Sequence, residues 1–430
     1  MFSYNGFPLT KPESISDLPS ARETSQIETV IIGGGYAGLA MSCCLKQRNI
    51  PHVVLERGRI AERWRSERWD SLRLLTPNYH TRMPDWRYRG DDPDGYMSVA
   101  EFISFLEDYA HSFNSPVLTG INVESVKRCA NGFKLQAASR TWQAQTIVIA
   151  TGHCDIPFIP PVASNLNQDI FQLTSSQYRN PEQLPAGGVL VVGAGASGAQ
   201  IAEELVNAGR DVMISVSRHH RLPRRYRGRD ILWWVDQMGI YREPADPHSE
   251  RSFPAPQLVG SAEGRSLDLG ILQARGVKLA GRVSCIDNHI VNFDSNLEQV
   301  VNQADQEMLE LLTRIDQYAT DNRLGGEAII PSPIQLQASP TRIDLQQEGI
   351  HNLLWSTGYR RAYPWLHLDL LDEHGELRHK GGVTEEPGIY VIGLRRQRRN
   401  NSNFIDGVGD DAQFLTDHLS NHLCRHSVLS

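Results

Sequence analysis

Gly33, Gly35 and Gly38 stand in the run Gly33-Gly34-Gly35-Tyr36-Ala37-Gly38, directly after the apolar stretch Ile27–Ile32. That spacing is the chemistry of a dinucleotide turn. The first glycine permits a tight turn, the second lets the backbone approach a pyrophosphate, and the third lets helix and strand pack closely. A helix starting there offers free N–H groups and the positive end of its dipole to phosphates. Glu56 closes the next apolar run, Val53–Leu55, 23 residues after Gly33. A carboxylate at that position can accept hydrogen bonds from ribose hydroxyls. A glycine motif alone could be a plain turn. Strand, helix and distal acid together make dinucleotide binding the stronger reading.

The pattern returns 160 residues later as Gly193-Ala194-Gly195-Ala196-Ser197-Gly198, between the apolar runs Val189–Val192 and Val212–Val216. The position equivalent to Glu56 is now Val216, followed by Ser217 and Arg218. An acid would repel a ribose 2′-phosphate, whereas Arg218 can pair with one. The second turn therefore reads as an NADPH site; the plainer alternative is a salt-bridged surface arginine. An acid-ended site and an arginine-ended site in one chain suggest two cofactors, FAD in the first and NADPH in the second. Hydride transfer and oxygen chemistry are then work that cofactors do.

These turns need βαβ units to hold them, and the chain has the length for it. Its 430 residues suggest roughly two to four domains. Apolar residues make up 40% and charged residues 22%, an ordinary globular balance. The net charge of −7 argues against a general nucleic-acid or membrane coat. The six cysteines form no C-x-x-C, which argues against a zinc ribbon or a dithiol redox pair, and the histidines show no metal spacing. No secretory leader and no 18-residue apolar run are visible, so the expectation is a cytoplasmic protein with reduced thiols, no metal and no membrane span. Thr146–Ala150 reads as a strand ending at Thr151-Gly152, and the proline-rich 156–162 as a linker. Leu353–Ser356 repeats the strand before Thr357-Gly358, and 388–393 is one more strand. Leu297, Val301, Ala304, Met308, Leu311, Ile315 and Tyr318 step by four and three, a heptad stripe over 297–320. Such a helix packs on its own domain or forms a homodimer seam.

With these pieces in place, the chain resembles the class B flavoprotein monooxygenases, namely the flavin-containing and YUCCA-type enzymes and the CzcO/TrkA-like bacterial relatives. The likeness spans Ile27 to Leu419 and rests on segments 33–38, 56–64, 69–77, 150–152, 193–198, 356–359 and 404–412. It implies FAD contacts at Tyr36, Ala37, Arg57, Trp64, Thr76, Thr151, Gly152, Thr357, Gly358, Ile405 and Asp406, and NADPH contacts at Ala196, Ser197 and Ser217. It also implies that 69–77 lines the isoalloxazine and that Asn78 makes a polar contact near its C4a atom. Asp406 could instead be a plain helix N-cap. The family's fingerprint between the two glycine motifs is altered: Leu173, Gln177 and Pro181 replace glycine, histidine and an aromatic. That argues against Baeyer–Villiger activity. Gln177 keeps hydrogen-bonding capacity but cannot carry a proton.

Two basic runs stand out. Arg218–Arg229 holds six arginines and could bind NADPH phosphates or an acidic substrate, or form a solvated rim; no RNA-binding module accompanies it. Arg395–Arg399 could flank the flavin or lie on the surface. The expectation is an α/β protein with two Rossmann-like domains, the second inserted in the first, and a helical insertion. A polar lead-in takes 1–25, the FAD domain 26–160 plus 345–430, and the NADPH domain 161–344. The expected activity is NADPH-dependent monooxygenation of a small organic substrate by O2 through a C4a-(hydro)peroxyflavin. The alternatives are a flavin reductase or oxidase, and a flavin-bound redox sensor.

Overall fold

The computed structural model describes residues 24–138, 140–245 and 255–427. The polar lead-in lies outside them, except that Thr24 and Ser25 open the first strand. The first βαβ unit comprises β1 (Thr24–Ile32), α1 (Tyr36–Gln47) and β2 (His52–Leu55). Next come α2 (Glu62–Ser66), α3 (Val99–Ser112), β3 (Val117–Leu118), the hairpin strands β4 (Ser125–Cys129) and β5 (Gly132–Ala137), and β6 (Arg140–Ile149). α3 begins with a capping box, Ser98 against Glu101; such a cap is worth about 1 kcal/mol.

The second unit holds β7 (Phe171–Thr174), β8 (Gly188–Val192), α4 (Ala196–Asn207), β9 (Val212–Ser215), α5 (Ile231–Gln237), α6 (Leu269–Ala274) and β10 (Lys278–Ala280). Then follow β11 (Val283–Asp287), β12 (Ile290–Phe293), the long α7 (Leu297–Asp321), β13 (Arg342–Asp344) and β14 (Ile350–Trp355). The chain returns with β15 (His379–Lys380), β16 (Val383–Thr384), β17 (Ile389–Val391) and α8 (Val408–Ser427).

Two main sheets result. The first runs β15-β16-β17-β6-β1-β2-β3, with the β4–β5 hairpin joined to β6. The second runs β7-β14-β8-β9-β10, parallel throughout. β2, β8 and β9 are buried along their whole lengths. That is why they read as unbroken apolar runs: a parallel sheet is covered on both faces.

The domain boundary expected at 344/345 moves. β14 pairs with β7 and β8, so it belongs to the second sheet, and the chain leaves that sheet only after Trp355. α7 also departs from its heptad. Its buried side chains are Leu297, Val301, Ala304, Asp305, Met308, Leu312, Ile315 and Ala319, while Leu311 and Tyr318 are half-buried. A straight helix drifts about 20° per heptad, so the core-facing stripe slips from 311 and 318 to 312 and 319. The stripe packs against Ile231, Leu232, Trp234 and Leu258 of the same chain.

Candidate functional site

The first glycine turn is built for close approach. Gly33 has φ +112°, and a Cβ there would lie 2.5 Å from the Ala150 carbonyl oxygen. A Cβ on Gly38 would lie 1.9 Å from the Gly33 carbonyl oxygen, so only glycine lets α1 sit on β1. Gly35 differs: a Cβ there meets nothing within 4 Å. It caps α1 and faces a cavity of 2290 Å³. The Glu56 carboxylate is buried beside this turn. Its Oε2 accepts the Gly34 N–H at 2.6 Å and its Oε1 the Gly58 N–H at 2.8 Å. Each oxygen keeps a lone pair for a further donor.

The second turn repeats the construction. Gly193 has φ +107°, and its Cβ would lie 2.4 Å from the Ser356 carbonyl oxygen; a Cβ on Gly198 would lie 1.8 Å from Gly193 O. Ala150 and Ser356 stand at the same place in the two units, each donating its N–H to the strand that precedes the turn, to Ile32 and Val192 at 2.8 Å. Thr151-Gly152 and Thr357-Gly358 follow, with φ +80° and +89° at the glycines. All four residues line the cavity. The two chain crossings then pair with each other, Ile156 with Arg360 and Pro157 with Tyr359. Arg63 of α2 binds Asp155 and the Cys154 carbonyl, and Asp155 Oδ2 accepts the Ala362 N–H at 3.3 Å. Arg63 and Asp155 thus clamp both crossings. Neither carried a spacing signal, because their partnership is purely spatial.

Other expected residues fall into two groups. Tyr36, Ala37, Arg57, Trp64, Thr76 and Ile405 line the cavity. Trp64 packs edge-on to Phe102 at 4.7 Å, with Arg68 over its face at 5.2 Å, and the Tyr36 hydroxyl donates to the Asn403 carbonyl at 2.6 Å. Gly193, Gly195, Ala196, Ser197, Gly198, Ser217 and Arg218 lie outside that lining. The Ala196 N–H points to the Ala255 carbonyl at 3.3 Å, a contact that a phosphate at this amide would replace. Arg218 approaches Glu307 of α7 at 3.8 Å.

The two polar residues expected at the chemistry are engaged elsewhere. Asn78 donates to the Asp92 carbonyl at 2.8 Å and accepts the Met97 N–H at 2.9 Å, pinning the 92–97 loop. Gln177 accepts from the Thr174 N–H at 3.0 Å and the Thr174 hydroxyl at 2.9 Å, closing its own turn. Neither borders the cavity, because each side chain is spent on a neighbouring backbone. Asp406 is buried 3.6 Å from both His80 and Arg82. His80, Asp236 and Asp406 cluster closely, and Arg82 lies 3.6 Å from each of the two acids, so a cation already stands there.

The run Arg218–Arg229 is not a uniform rim. Arg221 and Arg224 are 6% and 0% exposed. Arg221 bridges Asp268 at 2.9 Å, which caps α6, and Asp305 of α7 at 2.7 Å. Burying a guanidinium is costly unless its donors are met, and here they are met by carboxylates far along the chain. Arg229 lies over Trp233 at 4.2 Å. All of the second run, Arg395 to Arg399, borders the cavity, and within it Arg398 reaches Asp411 and Arg399 reaches Asp410, both on α8.

His153, beside Gly152 in the cavity wall, carried no signal in sequence. Burial, then the charges of Arg395 and Arg361, hold its pKa at about 3, from an ordinary 6.5. Its neutral form is therefore the folded form. Between those pH values the unfolded chain binds the extra proton, so stability falls as pH drops from 6.5 towards 3. Replacing it by glutamine should flatten that part of the profile. Denaturant midpoints at pH 7.5 and 5 check this: the wild type should lose more than the variant, and equal losses would remove His153 from the account. Burial lowers His52, His219 and His379 in the same direction, so the slope will not vanish.

Two sheets, the second parallel throughout and the first parallel from β17 to β3, each with a glycine turn braced by a Thr-Gly crossing, define a Rossmann-type dinucleotide-binding framework. Known proteins agree. Residues 30–233 match the pyridine nucleotide-disulphide oxidoreductase family. A CzcO-like oxidoreductase of Geobacillus kaustophilus is 32% identical over 403 residues, covering 92% of this chain and 99% of the relative. The probable indole-3-pyruvate monooxygenase YUCCA1 of Arabidopsis thaliana is 32% identical over 206 residues, covering 46% of this chain and 49% of the relative. The flavin-containing monooxygenase structure from Stenotrophomonas maltophilia shares the fold, with a TM-score of 0.66 at 18% identity over 93% of this chain and all of that one. The chain belongs to the CzcO-like oxidoreductases. Among the described residues, no helix is long and apolar enough to cross a membrane.

Proposed function

We propose that the protein is an NADPH-dependent, FAD-containing monooxygenase of small organic molecules. One observation carries the reading. The first glycine turn, Glu56, both Thr-Gly crossings, segment 74–76 and loop 403–405 all border a single cavity. In this reading FAD lies along the first turn. The open face of Gly35 admits its pyrophosphate, α1 directs N–H groups at it, and Glu56 accepts from its ribose. NADPH lies along the second turn, with its 2′-phosphate at Ser217 and Arg218. The FAD unit then takes 24–160 with 356–427, and the NADPH unit 161–355. When bound, the cofactors supply hydride transfer and oxygen activation. The chain's part is to orient them, exclude water and admit a substrate. Leu222, Leu232 and Val235, with Met308 and Leu311 of α7, form an apolar wall suited to that last role.

The engagement of Asn78 and Gln177 away from the cavity favours a second reading, in which the enzyme passes electrons to oxygen or another acceptor without oxygenating a substrate. Rapid mixing of the NADPH-reduced protein with O2 separates the two. A transient near-ultraviolet flavin band, with labelled oxygen entering a substrate from an amine, sulfide and keto-acid panel, supports the monooxygenase. Direct return of oxidised flavin with stoichiometric peroxide, and no label incorporated, supports the oxidase.

A further inference from the structure

We propose that Arg224 is a positioning residue, which sets the cavity-lining segment Leu74–Thr76 against α5 and so fixes two walls of the reaction chamber. Its Nη1 donates to the Leu75 carbonyl at 2.8 Å, across 149 residues of sequence. Its Nε donates to Asp230 Oδ2 at 2.8 Å, and Nη2 donates to the same oxygen. That oxygen also accepts the Tyr96 hydroxyl at 2.7 Å, and the guanidinium lies over the Tyr96 ring at 4.5 Å. The other oxygen of Asp230 caps α5 by accepting the Leu232 N–H at 2.8 Å. Leu74, Leu75, Thr76, Leu232 and Val235 all face the cavity. One fully buried cation therefore joins two walls that lie about 150 residues apart in the chain. Asn78 supports the node from behind, since it pins the loop that carries Tyr96.

Stability alone is a poor explanation for this arrangement, because a buried ion pair is often matched by apolar residues of similar volume. Directionality is the better one. A planar guanidinium can donate to a carboxylate and a carbonyl at once in fixed directions, whereas an ammonium is a point charge without that fork. The proposal rests on the FAD reading only for its effect on flavin.

Arg224→Lys keeps the charge against Asp230 and loses the fork; Tyr96→Phe removes one donor and is the milder second variant. Hydrogen exchange of segments 72–77 and 231–235 is measured in each purified protein. The flavin visible circular dichroism and NADPH oxidation are measured in the FAD-loaded forms. Arg224→Lys should raise exchange in both segments together, change the flavin dichroism, and lower kcat about tenfold with KM for NADPH within about twofold, the pattern of a misplaced wall. Tyr96→Phe should shift the same readouts less. Glu203→Gln, which removes the charge that pairs with half-buried Arg265 and Arg275 away from the cavity, should leave the flavin dichroism as in the wild type. Exchange rising in one segment only, or unchanged dichroism and kcat in Arg224→Lys, would overturn the proposal. A wild type that binds no FAD would defeat the proposed function instead, and the exchange result would still decide the coupling.

Discussion

Gly35→Asp should give a folded, colourless protein. Nothing stands within 4 Å of a Cβ at this position, so the substitution displaces no atom. Its φ of −80° is open to any residue. Asp is also a good N-cap, better than glycine by about a few tenths of a kcal/mol, so α1 is not weakened. The same carboxylate would take the helix N-terminus that a pyrophosphate needs. It would satisfy the free N–H groups and repel the incoming phosphates, and like charges set together cost several kcal/mol. At 1.4 kcal/mol per decade, the FAD affinity should fall by about a thousandfold or more. Far-ultraviolet circular dichroism and the Tm should remain close to wild type while an FAD titration shows no saturable quenching. Gly38→Ala supplies the contrast, because its Cβ would press on the Gly33 carbonyl at 1.9 Å. That variant should lose stability as well as FAD. A yellow Gly35→Asp protein with full FAD content would show that the first turn is not the phosphate cradle.

Arg218→Gln should collapse the preference for NADPH over NADH. The arginine is 37% exposed and approaches Glu307 at 3.8 Å. A phosphate carries more charge and more acceptor oxygens than that carboxylate, so it is the stronger partner for the guanidinium. Hydrogen bonds to charged groups contribute about 1.5–3 kcal/mol, so KM for NADPH should rise by about 10- to 100-fold. KM for NADH, which lacks the 2′-phosphate, should change by less than about twofold. The wild-type preference should also weaken with added salt, as a partly exposed charge contact does. Equal effects on both coenzymes would mean that Arg218 only braces α7 through Glu307.

Much of the framework was legible because its signals are local. A buried parallel strand is a short apolar run, and a dinucleotide turn is three glycines at fixed spacing. Those signals located both βαβ units, the two Thr-Gly crossings and the last strand, with strand ends that shift by up to three residues in the structure. They also singled out Glu56, which the structure buries against the first turn, and Arg218, which follows the matching strand of the second unit. Spacing does not show what holds a polar side chain. Asn78 and Gln177 are expected at the chemistry, and in the structure each side chain bonds within its own turn or loop and lies outside the cavity lining. The boundary at 344/345 failed because β14 pairs with strands laid down far earlier in the chain.

The sequence by itself therefore determined the two nucleotide-type units, their turn chemistry and the difference in charge between them. Backbone conformation and strand burial are set within a few residues, and composition records them directly. Only the tertiary structure decided which arginines are buried. A guanidinium reads as solvated until carboxylates and carbonyls from remote segments meet its donors, and Arg221 finds Asp305 84 residues away while Arg224 finds Leu75 149 residues away. The clamp of Arg63 on both crossings and the convergence of six segments on one cavity belong to the same class. Such contacts exist only once the chain has closed on itself, because no rule of spacing relates residues that distance in space alone brings together.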